Sequence, residues 1–149
     1  MAVFCPLKNG PALYLDCNEC HDKICKNRDI FYCLVVGSRS FNNYDLMSNS
    51  LDYFLQNQKQ VVIVSGEAQG ADQMSKRYAK EKGYRYVGFP ADWSMGRYAG
   101  YERNKKMHRY ITHFPKRGVV AFWDGVSKGT AHSFSLAKEY NNPIKVIRF

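Results

Sequence analysis

Two segments combine closely spaced glycines with hydroxyl and carboxylate side chains. They are Ser65-Gly66-Glu67-Ala68-Gln69-Gly70-Ala71-Asp72 and Asp124-Gly125-Val126-Ser127-Lys128-Gly129-Thr130. Each has a Gly-x3-Gly spacing directly before a segment of helical period, which lets bare backbone approach a phosphate and aims the following N–H groups at it. The spacing differs from the GxxxxGK[ST] and GxGxxG motifs, which disfavours P-loop NTPases and dinucleotide-dependent dehydrogenases. The alternative is that these glycines only make tight strand-to-helix turns.

Two further loops contribute cations, an aromatic ring and a carboxylate. Gly37-Ser38-Arg39 follows one apolar run, and Asp92-Trp93 with Arg103-Asn104 follow another. Trp93 is suited to stack on a base, Asp92 to accept hydrogen bonds from ribose hydroxyls, and Arg103 to pair with phosphate. The alternatives are a packing role for Trp93 and a turn role for Asp92.

The elements that must position these loops alternate between strand-like runs and segments of helical period, which predicts an α/β fold. We expect a Rossmann-like three-layer sandwich with a mainly parallel sheet of about five strands. The predicted strands are 31–36, 61–65, 84–89, 119–123 and 144–149. In such a sheet ligands bind beyond the carboxyl ends of the strands, where the four loops lie.

Apolar side chains at helical spacing predict four helices that cover the sheet. The inward faces are Met47, Leu51, Phe54 and Leu55; Ala71, Met74 and Tyr78; Met107, Tyr110 and Ile111 in a helix over 100–112; and Ala131, Phe134, Ala137 and Tyr140. Arg103, Lys105, Lys106 and Arg109 are expected to be available to solvent or ligand. Surface positions are expected for His108 and His113, whereas His132 lies beside the second glycine loop.

Length and composition restrict the class of protein. With 149 residues, 17.2 kDa and 45% hydrophobic side chains, the chain is long enough for one sizeable core and too short for two ordinary domains. No apolar run approaches the roughly 18 residues of a membrane span. The first residues lack the basic and apolar regions of a secretion signal, so a cytoplasmic protein without membrane contact is expected.

The positive charge is concentrated in residues 73–117, which contain 12 basic and three acidic residues, in a chain of net charge +9. Such a field attracts a polyanion or a phosphorylated small ligand. The alternative is a solvated basic face that aids solubility.

Four of the five cysteines lie in the first 25 residues, as Cys5, Cys17, Cys20 and Cys25. The Cys17-x2-Cys20 pair lets two thiolates reach one tetrahedral zinc ion, and Cys5 and Cys25 are available to complete the site. Residues 1–29 are therefore predicted to be a small cysteine-rich element, a candidate zinc knuckle, before a domain over 30–149. Free thiols in a reduced chain are the alternative. Cys33 lies in an apolar run and is expected in the core.

Several of these motifs, in this order, resemble the YspA-type branch of the SLOG superfamily, which is related to the Smf/DprA and LONELY GUY domains. The similar segments are 35–41, 65–72, 90–93 with Arg103-Asn104, and 121–130. The resemblance covers about residues 31–149 and implies a Rossmann-like domain for nucleotides or nucleotide-derived ligands such as ADP-ribose or other NAD metabolites. It also implies a homo-oligomer.

The correspondence is uneven at single positions. Arg103 corresponds to the arginine of the phosphoribohydrolase Arg-Lys-x-x-Met element, and Gly129-Thr130 to their Gly-Thr. Acidic residues follow that Gly-Thr in those enzymes, whereas Ala131, His132 and Ser133 follow it here, which weakens the case for hydrolysis because glycoside cleavage uses carboxylates.

The leading hypothesis is a protein that binds or senses a nucleotide-derived small molecule, ADP-ribose or a nucleoside phosphate. The predicted ligand-binding residues are Gly37, Ser38, Arg39, Ser65, Gly66, Gly70, Ala71, Asp72, Asp92, Trp93, Arg103, Asn104, Asp124, Gly125, Ser127, Gly129 and Thr130. One alternative is an N-glycosidic-bond hydrolase of nucleotides, with Asp92, Arg103 and Asp124 as catalytic candidates and Glu67 or Asp72 as substitutes. Another is nucleic-acid binding through the basic stretch.

Overall fold

A five-stranded parallel sheet forms the centre of residues 30–149. The computed structural model describes these residues together with residues 2–5 and 10–13. Residues 2–5 and 10–13 form two strands, β1 (Ala2–Cys5) and β2 (Gly10–Leu13), which pair in antiparallel register. The parallel sheet consists of β3 (Ile30–Gly37), β4 (Gln60–Ser65), β5 (Arg85–Gly88), β6 (Arg117–Trp123) and β7 (Ile144–Arg148).

The strand order in this sheet is β5-β4-β3-β6-β7, with every neighbouring pair parallel. The chain therefore builds outward from β3 to β5 and then crosses back to place β6 on the other side of β3. This reversal is the switch point of Rossmann-like sheets, where a crevice opens beyond the carboxyl ends of the two strands. The expected Rossmann-like α/β architecture is confirmed.

Four helices and one 3-10 turn connect the strands. They are α1 (Tyr44–Leu55), α2 (Ala71–Lys82), the turn Trp93–Met95, α3 (Ala99–Ile111) and α4 (Lys128–Glu139). Alternate residues of β3 face opposite layers, as the two-residue period of a strand requires. Cys33 and Val35 pack in one cluster with α1 and α2, whereas Leu34 and Val36 pack in another with α3 and α4. The result is the three-layer sandwich.

The predicted strands agree with the observed ones to within two residues at each end, but the surface position expected for His108 was wrong. His108 is fully buried rather than at the surface, and its Nδ1 lies 3.2 Å from Nδ2 of Asn142. Burial lowers the pKa of His108 to about 4. The buried face of α4 consists of Thr130, Ser133, Leu136 and Ala137. Phe134 is half-buried, packs against the core cluster on this side of the sheet and lies edge-on to Trp123.

The zinc prediction falls mainly on residues that the structure does not describe. Cys17, Cys20 and Cys25 lie outside the described residues, and of Cys5 only the backbone in β1 is described. Among the described residues, no three His, Cys, Asp or Glu side chains are grouped to hold a metal ion. Cys33 is fully buried, which confirms its place in the core. None of the helices described has the length and apolar character needed to cross a bilayer.

Candidate functional site

A cavity of about 260 Å³ opens at the switch point, beyond the carboxyl ends of β3, β4 and β6. Residues from the end of β3, from the loops after β3, β4, β5 and β6, and from α2, α3 and α4 form its wall. They are Val36, Gly37, Arg39, Ala68, Asp72, Trp93, Arg97, Gly100, Tyr101, Arg103, Asn104, Met107, Ser127, Gly129, Thr130 and Ser133. The cavity therefore brings together the four loops whose chemistry stood out in the sequence.

The N-termini of three helices contribute residues to this cavity. Their N-cap residues are Gly70 of α2, Tyr98 of α3 and Ser127 of α4, and none makes a side-chain capping hydrogen bond in the described structure. The first N–H groups of a helix have no partner within the helix, and the positive end of the helix dipole lies there. Three such ends around one cavity favour an anionic ligand.

Arg103 reaches from α3 across the cavity to the loop after β4. Its Nη1 donates to the carbonyl oxygen of Gly66 at 2.6 Å, and its Nε donates to Oδ1 of Asn104 at 3.1 Å. Nδ2 of Asn104 in turn donates to the carbonyl oxygen of Gly129 at 3.4 Å. Partial burial lowers the pKa of the Arg103 guanidinium from its ordinary value, while Asp72 nearby opposes this shift. Arg103 thus links the two glycine loops through one side chain and its neighbour.

The two glycine loops differ in what their glycines do. A Cβ added to Gly66 would lie 2.6 Å from Nη1 of Arg103, so this glycine makes room for the guanidinium. Gly70 has φ of +75°, and a Cβ there would lie 2.5 Å from the carbonyl oxygen of Arg39. No atom lies within 4 Å of a Cβ placed at Gly129. Both glycines of the first loop are therefore closely packed, whereas the second loop is open at Gly129 on the cavity wall.

Asp72 is the buried carboxylate of the cavity wall. Its side chain is close to fully buried, and Oδ2 accepts a hydrogen bond from the backbone N–H of Ala68 at 3.2 Å. Burial raises the pKa of Asp72 to about 6, although the Ala68 N–H and the guanidinium of Arg103 act in the opposite direction. A carboxylate has about four lone-pair sites, so Asp72 retains capacity to accept hydrogen bonds from a ligand.

The other two candidate carboxylates are used in local turns outside the cavity wall. Asp92 Oδ1 accepts from N and Oγ of Ser94, which lowers the pKa of Asp92. Asp124 Oδ1 accepts from the N–H groups of Val126 and Ser127, which lowers the pKa of Asp124. Neither lines the 260 Å³ cavity. In this structure their geometry is that of turn-capping groups.

Several predicted ligand residues support the loops from behind the wall. Ser38 Oγ accepts from the N–H of Asp124, and buried Ser65 contacts the hydroxyl of Tyr86 through its Oγ at 2.5 Å. Ala71 is buried against Gly37, where the loop after β3 meets the start of α2. Gly125 packs against the guanidinium of Arg148 on β7. These contacts position the loops.

The mouth of the cavity is aromatic and cationic. Trp93 is 56% exposed, and the guanidinium of Arg39 lies over its ring at 5.7 Å from the centroid. Tyr98 is 59% exposed and lies next to Arg97, whose guanidinium is 5.1 Å from the Tyr98 centroid. Tyr101, on the cavity wall, packs edge-on against His132. Exposed rings beside cations are suited to stack on a planar base.

The ligand-binding residues predicted from sequence leave out seven residues of the wall. Four of them lie on helices, Gly100, Tyr101, Met107 and Ser133, and the other three are Val36, Ala68 and Arg97. Met107 was assigned to the core alone, and Ser133 was considered only as a departure from the pattern of related enzymes. A signal for Ser133 was present, because it lies one helical turn after Thr130 and so shares its face of α4.

The family model described as "YspA, cpYpsA-related SLOG family" matches residues 32–96, which is less than half of the chain. This segment is therefore similar to that family. The matched segment extends from β3 through the 3-10 turn and includes Arg39, the first glycine loop and Trp93, whereas Arg103-Asn104 and Gly129-Thr130 lie beyond it. The functional roles of all these residues stay predictions. No curated protein matches the chain.

Two solved structures share the fold of this chain. DNA processing protein A from Streptococcus pneumoniae superposes with a TM-score of 0.58 at 19% identity, over 83% of this chain and 52% of that one. DNA processing protein A from Helicobacter pylori, which binds single-stranded DNA, superposes with a TM-score of 0.56 at 19% identity, over 78% of this chain and 64% of that one. The chain thus spans about half to two thirds of these proteins and shares their fold.

Proposed function

We propose that this protein binds a nucleotide-derived small molecule that carries at least one phosphate, with the ligand held in the switch-point cavity. The observation that carries the proposal is the convergence of three helix N-termini and two guanidinium groups, those of Arg39 and Arg103, on one cavity. A nucleoside phosphate or ADP-ribose is the ligand class that the SLOG resemblance favours.

The phosphate is expected between the N-termini of α3 and α4 and the guanidinium groups. Gly129 leaves the backbone of α4 open to a close approach, and Ser127 and Thr130 add hydroxyl donors on the same wall. Arg103 is already held by Gly66 and Asn104, so little side-chain entropy is lost when it pairs with the ligand. Backbone N–H groups and a pre-positioned guanidinium are a suitable donor set for a phosphate.

The base is expected at the mouth, stacked on Trp93. A cavity of about 260 Å³ is at or below the lower end of the roughly 300–1,000 Å³ of pockets that enclose a drug-sized ligand. We therefore expect part of a bound nucleotide to extend beyond the cavity. Trp93 at the mouth is exposed, so its ring is available to stack on the base.

A second candidate function is binding of single-stranded nucleic acid across the same mouth. The observation that favours it is the exposure of Trp93, Tyr98 and Tyr101 in one short segment that also carries Arg97. Interleaved rings and cations form the stacking surfaces of single-strand binding proteins. The structural likeness to a protein that binds single-stranded DNA supports this candidate as well.

The test is calorimetric titration of the purified protein with AMP, ADP-ribose and NAD, and separately with a short oligodeoxythymidylate at two salt concentrations. Saturable binding of a mononucleotide with weak salt dependence supports the small-molecule proposal. Oligonucleotide affinity that falls steeply with salt, without mononucleotide binding, overturns it in favour of the second candidate.

The same samples, analysed by mass spectrometry, distinguish binding from hydrolysis. Recovery of intact ligand agrees with a binding or sensing protein. Release of free base or sugar phosphate shows an N-glycosidase, for which Asp72 is the carboxylate of the cavity wall.

A further inference from the structure

The deepest polar groups of the switch-point cavity differ in kind from those at its mouth. Arg39 and Arg97 are exposed at the mouth, whereas Asp72 and Ser133 are buried, with exposed fractions of 6% and 1%. Val36 and Met107 supply apolar surface beside them. The inner wall thus combines an acceptor and a hydroxyl with apolar surface, and the partly buried guanidinium of Arg103 is the cation nearest to them, whereas Arg39 and Arg97 are exposed.

Ser133 has an unusual feature for a buried hydroxyl. Its Oγ is shielded from solvent and has no hydrogen-bond partner among the described residues. Leaving a buried polar group without a partner costs about 1–3 kcal/mol, so such groups in folded proteins call for an explanation. Ser133 lies on the cavity wall, where a bound molecule would supply the missing partner.

The carboxylate of Asp72 supplies hydrogen-bond acceptors on the same wall as the Ser133 hydroxyl. It lines the cavity and accepts backbone N–H groups of Ala68, through Oδ2, and of Gly66. A carboxylate has about four lone-pair sites, so these two donors leave capacity for a ligand. A phosphate placed against this carboxylate would be repelled, because both groups are anionic near neutral pH. A group that donates hydrogen bonds and carries no charge suits the position.

We infer that Asp72 and Ser133 form a subsite for the sugar hydroxyls of the ligand, so that the ribose enters the inner part of the cavity while its phosphate lies at the helix N-termini. Asp72 accepts a hydrogen bond from one hydroxyl, and Ser133 Oγ exchanges one with the sugar. The subsite makes the protein selective for ribonucleotides over deoxyribonucleotides. This inference rests on the proposed function.

The inference assigns recognition of the ribose hydroxyls to Asp72. The sequence alone suggested Asp92 for that role. The Asp92 carboxylate is engaged by Ser94, and the residue lies outside the cavity wall. Asp72 reaches the cavity because α2 begins there, directly after the close packing of Gly70 on the loop that follows β3.

The experiment is calorimetric titration of the wild-type protein and three variants with AMP, 2′-deoxy-AMP and 3′-deoxy-AMP. The variants are Ser133→Ala, Asp72→Asn and the matched control Ser135→Ala, which removes an exposed hydroxyl from the same helix. Wild type should bind AMP about 10-fold more tightly than at least one deoxy analogue, the effect of one hydrogen bond to a charged group. This preference should fall to near unity in Ser133→Ala or Asp72→Asn and persist in Ser135→Ala.

The outcomes separate the two proposals. Equal affinity of wild type for all three nucleotides, or a preference that survives in both Ser133→Ala and Asp72→Asn, overturns the sugar subsite while the nucleotide site stands. If none of the three nucleotides binds to wild type, the proposed function fails and the subsite with it. Thermal unfolding of each variant verifies folding, and Ser133→Ala should melt no lower than wild type because its hydroxyl has no partner to lose.

Discussion

Nη1 of Arg103 donates a hydrogen bond to the carbonyl oxygen of Gly66, 37 residues earlier in the chain, at a distance of 2.6 Å. The contact joins α3 to the loop after β4 and holds a cation inside the cavity. Because Gly66 has no side chain, the guanidinium lies directly over its backbone. Arg103 is thus at once a structural contact and the candidate phosphate ligand, and the two roles can be separated by substitution.

Arg103→Ala should weaken AMP binding at least 10-fold and lower the free energy of unfolding by about 1 kcal/mol, the usual contribution of one hydrogen bond. Arg103→Lys should restore stability more than affinity, because lysine supplies charge without the planar donor fork. Calorimetry and denaturant unfolding measure the two effects. Arg109→Ala, on the exposed side of the same helix, is the matched control for loss of a positive charge. Equal affinity of the Arg103→Ala and Arg109→Ala variants for AMP would remove Arg103 from the site.

The glycines of the two loops should differ in their tolerance of alanine. Gly70→Ala places a side chain at φ of +75° and against the backbone of Arg39, so it should destabilise the protein by about 1–3 kcal/mol. Gly129→Ala meets no atom within 4 Å, so its free energy of unfolding should stay within about 1 kcal/mol of wild type. Thermal unfolding checks both, and similar losses in the two variants would contradict the packing described.

Asp72 should make stability depend on pH between about 4 and 6. The folded protein holds the Asp72 proton more tightly than the unfolded chain, because burial raises the pKa from 3.8 to about 6. The stabilisation by the neutral carboxyl is therefore complete below the unfolded pKa and is lost as the pH rises through the folded one. A shift of about two units corresponds to about 3 kcal/mol.

The variant Asp72→Asn has no such titration and keeps an oxygen for the Ala68 N–H. Its free energy of unfolding relative to wild type should rise by about 3 kcal/mol between the acid limit and pH 7. Urea unfolding of both proteins at several pH values measures this difference. A difference that is constant with pH would show that Asp72 is not buried as described.

Trp93→Ala should reduce affinity for AMP about 10-fold, in the range of one base stacked on an aromatic side chain, with little change in stability. The small stability effect follows because Trp93 is 56% exposed. Tyr53→Ala, an exposed ring on α1 away from the cavity, is the control. Undiminished AMP affinity in the Trp93→Ala protein would place the base elsewhere.

The cysteine-rich segment makes a separate prediction. Native mass spectrometry of the purified protein should show one bound zinc ion, which the double variant Cys17→Ser/Cys20→Ser loses while Cys33→Ser keeps it, because Cys33 is fully buried in the core. A native mass equal to that of the bare chain would reclassify residues 1–29 as a thiol-bearing arm.

The alternation of apolar runs and helical periods was sufficient to predict the strands, the helices and the parallel sheet. These features depend on local patterns, since the central strands β3, β4 and β6 are mainly buried and each helix has one apolar stripe. The loops after β3, β4 and β6 could be placed at one rim for the same reason. Sequence order alone therefore predicted that Arg39, Asp72 and Gly129 would lie near one another.

The tertiary structure decided which of these groups face the cavity. Asp72, Asp92 and Asp124 each follow a strand, yet of these three only Asp72 lines the wall. Backbone donors of local loops engage all three carboxylates, so the difference lies in where each loop is packed. Burial of Ser133 and His108 depends on how α3 packs against α4, which no local pattern contains. The reach of Arg103 to Gly66 likewise needs two distant segments at one position. Periodicity determines which face of an element is apolar, but only packing determines which polar groups remain for a ligand.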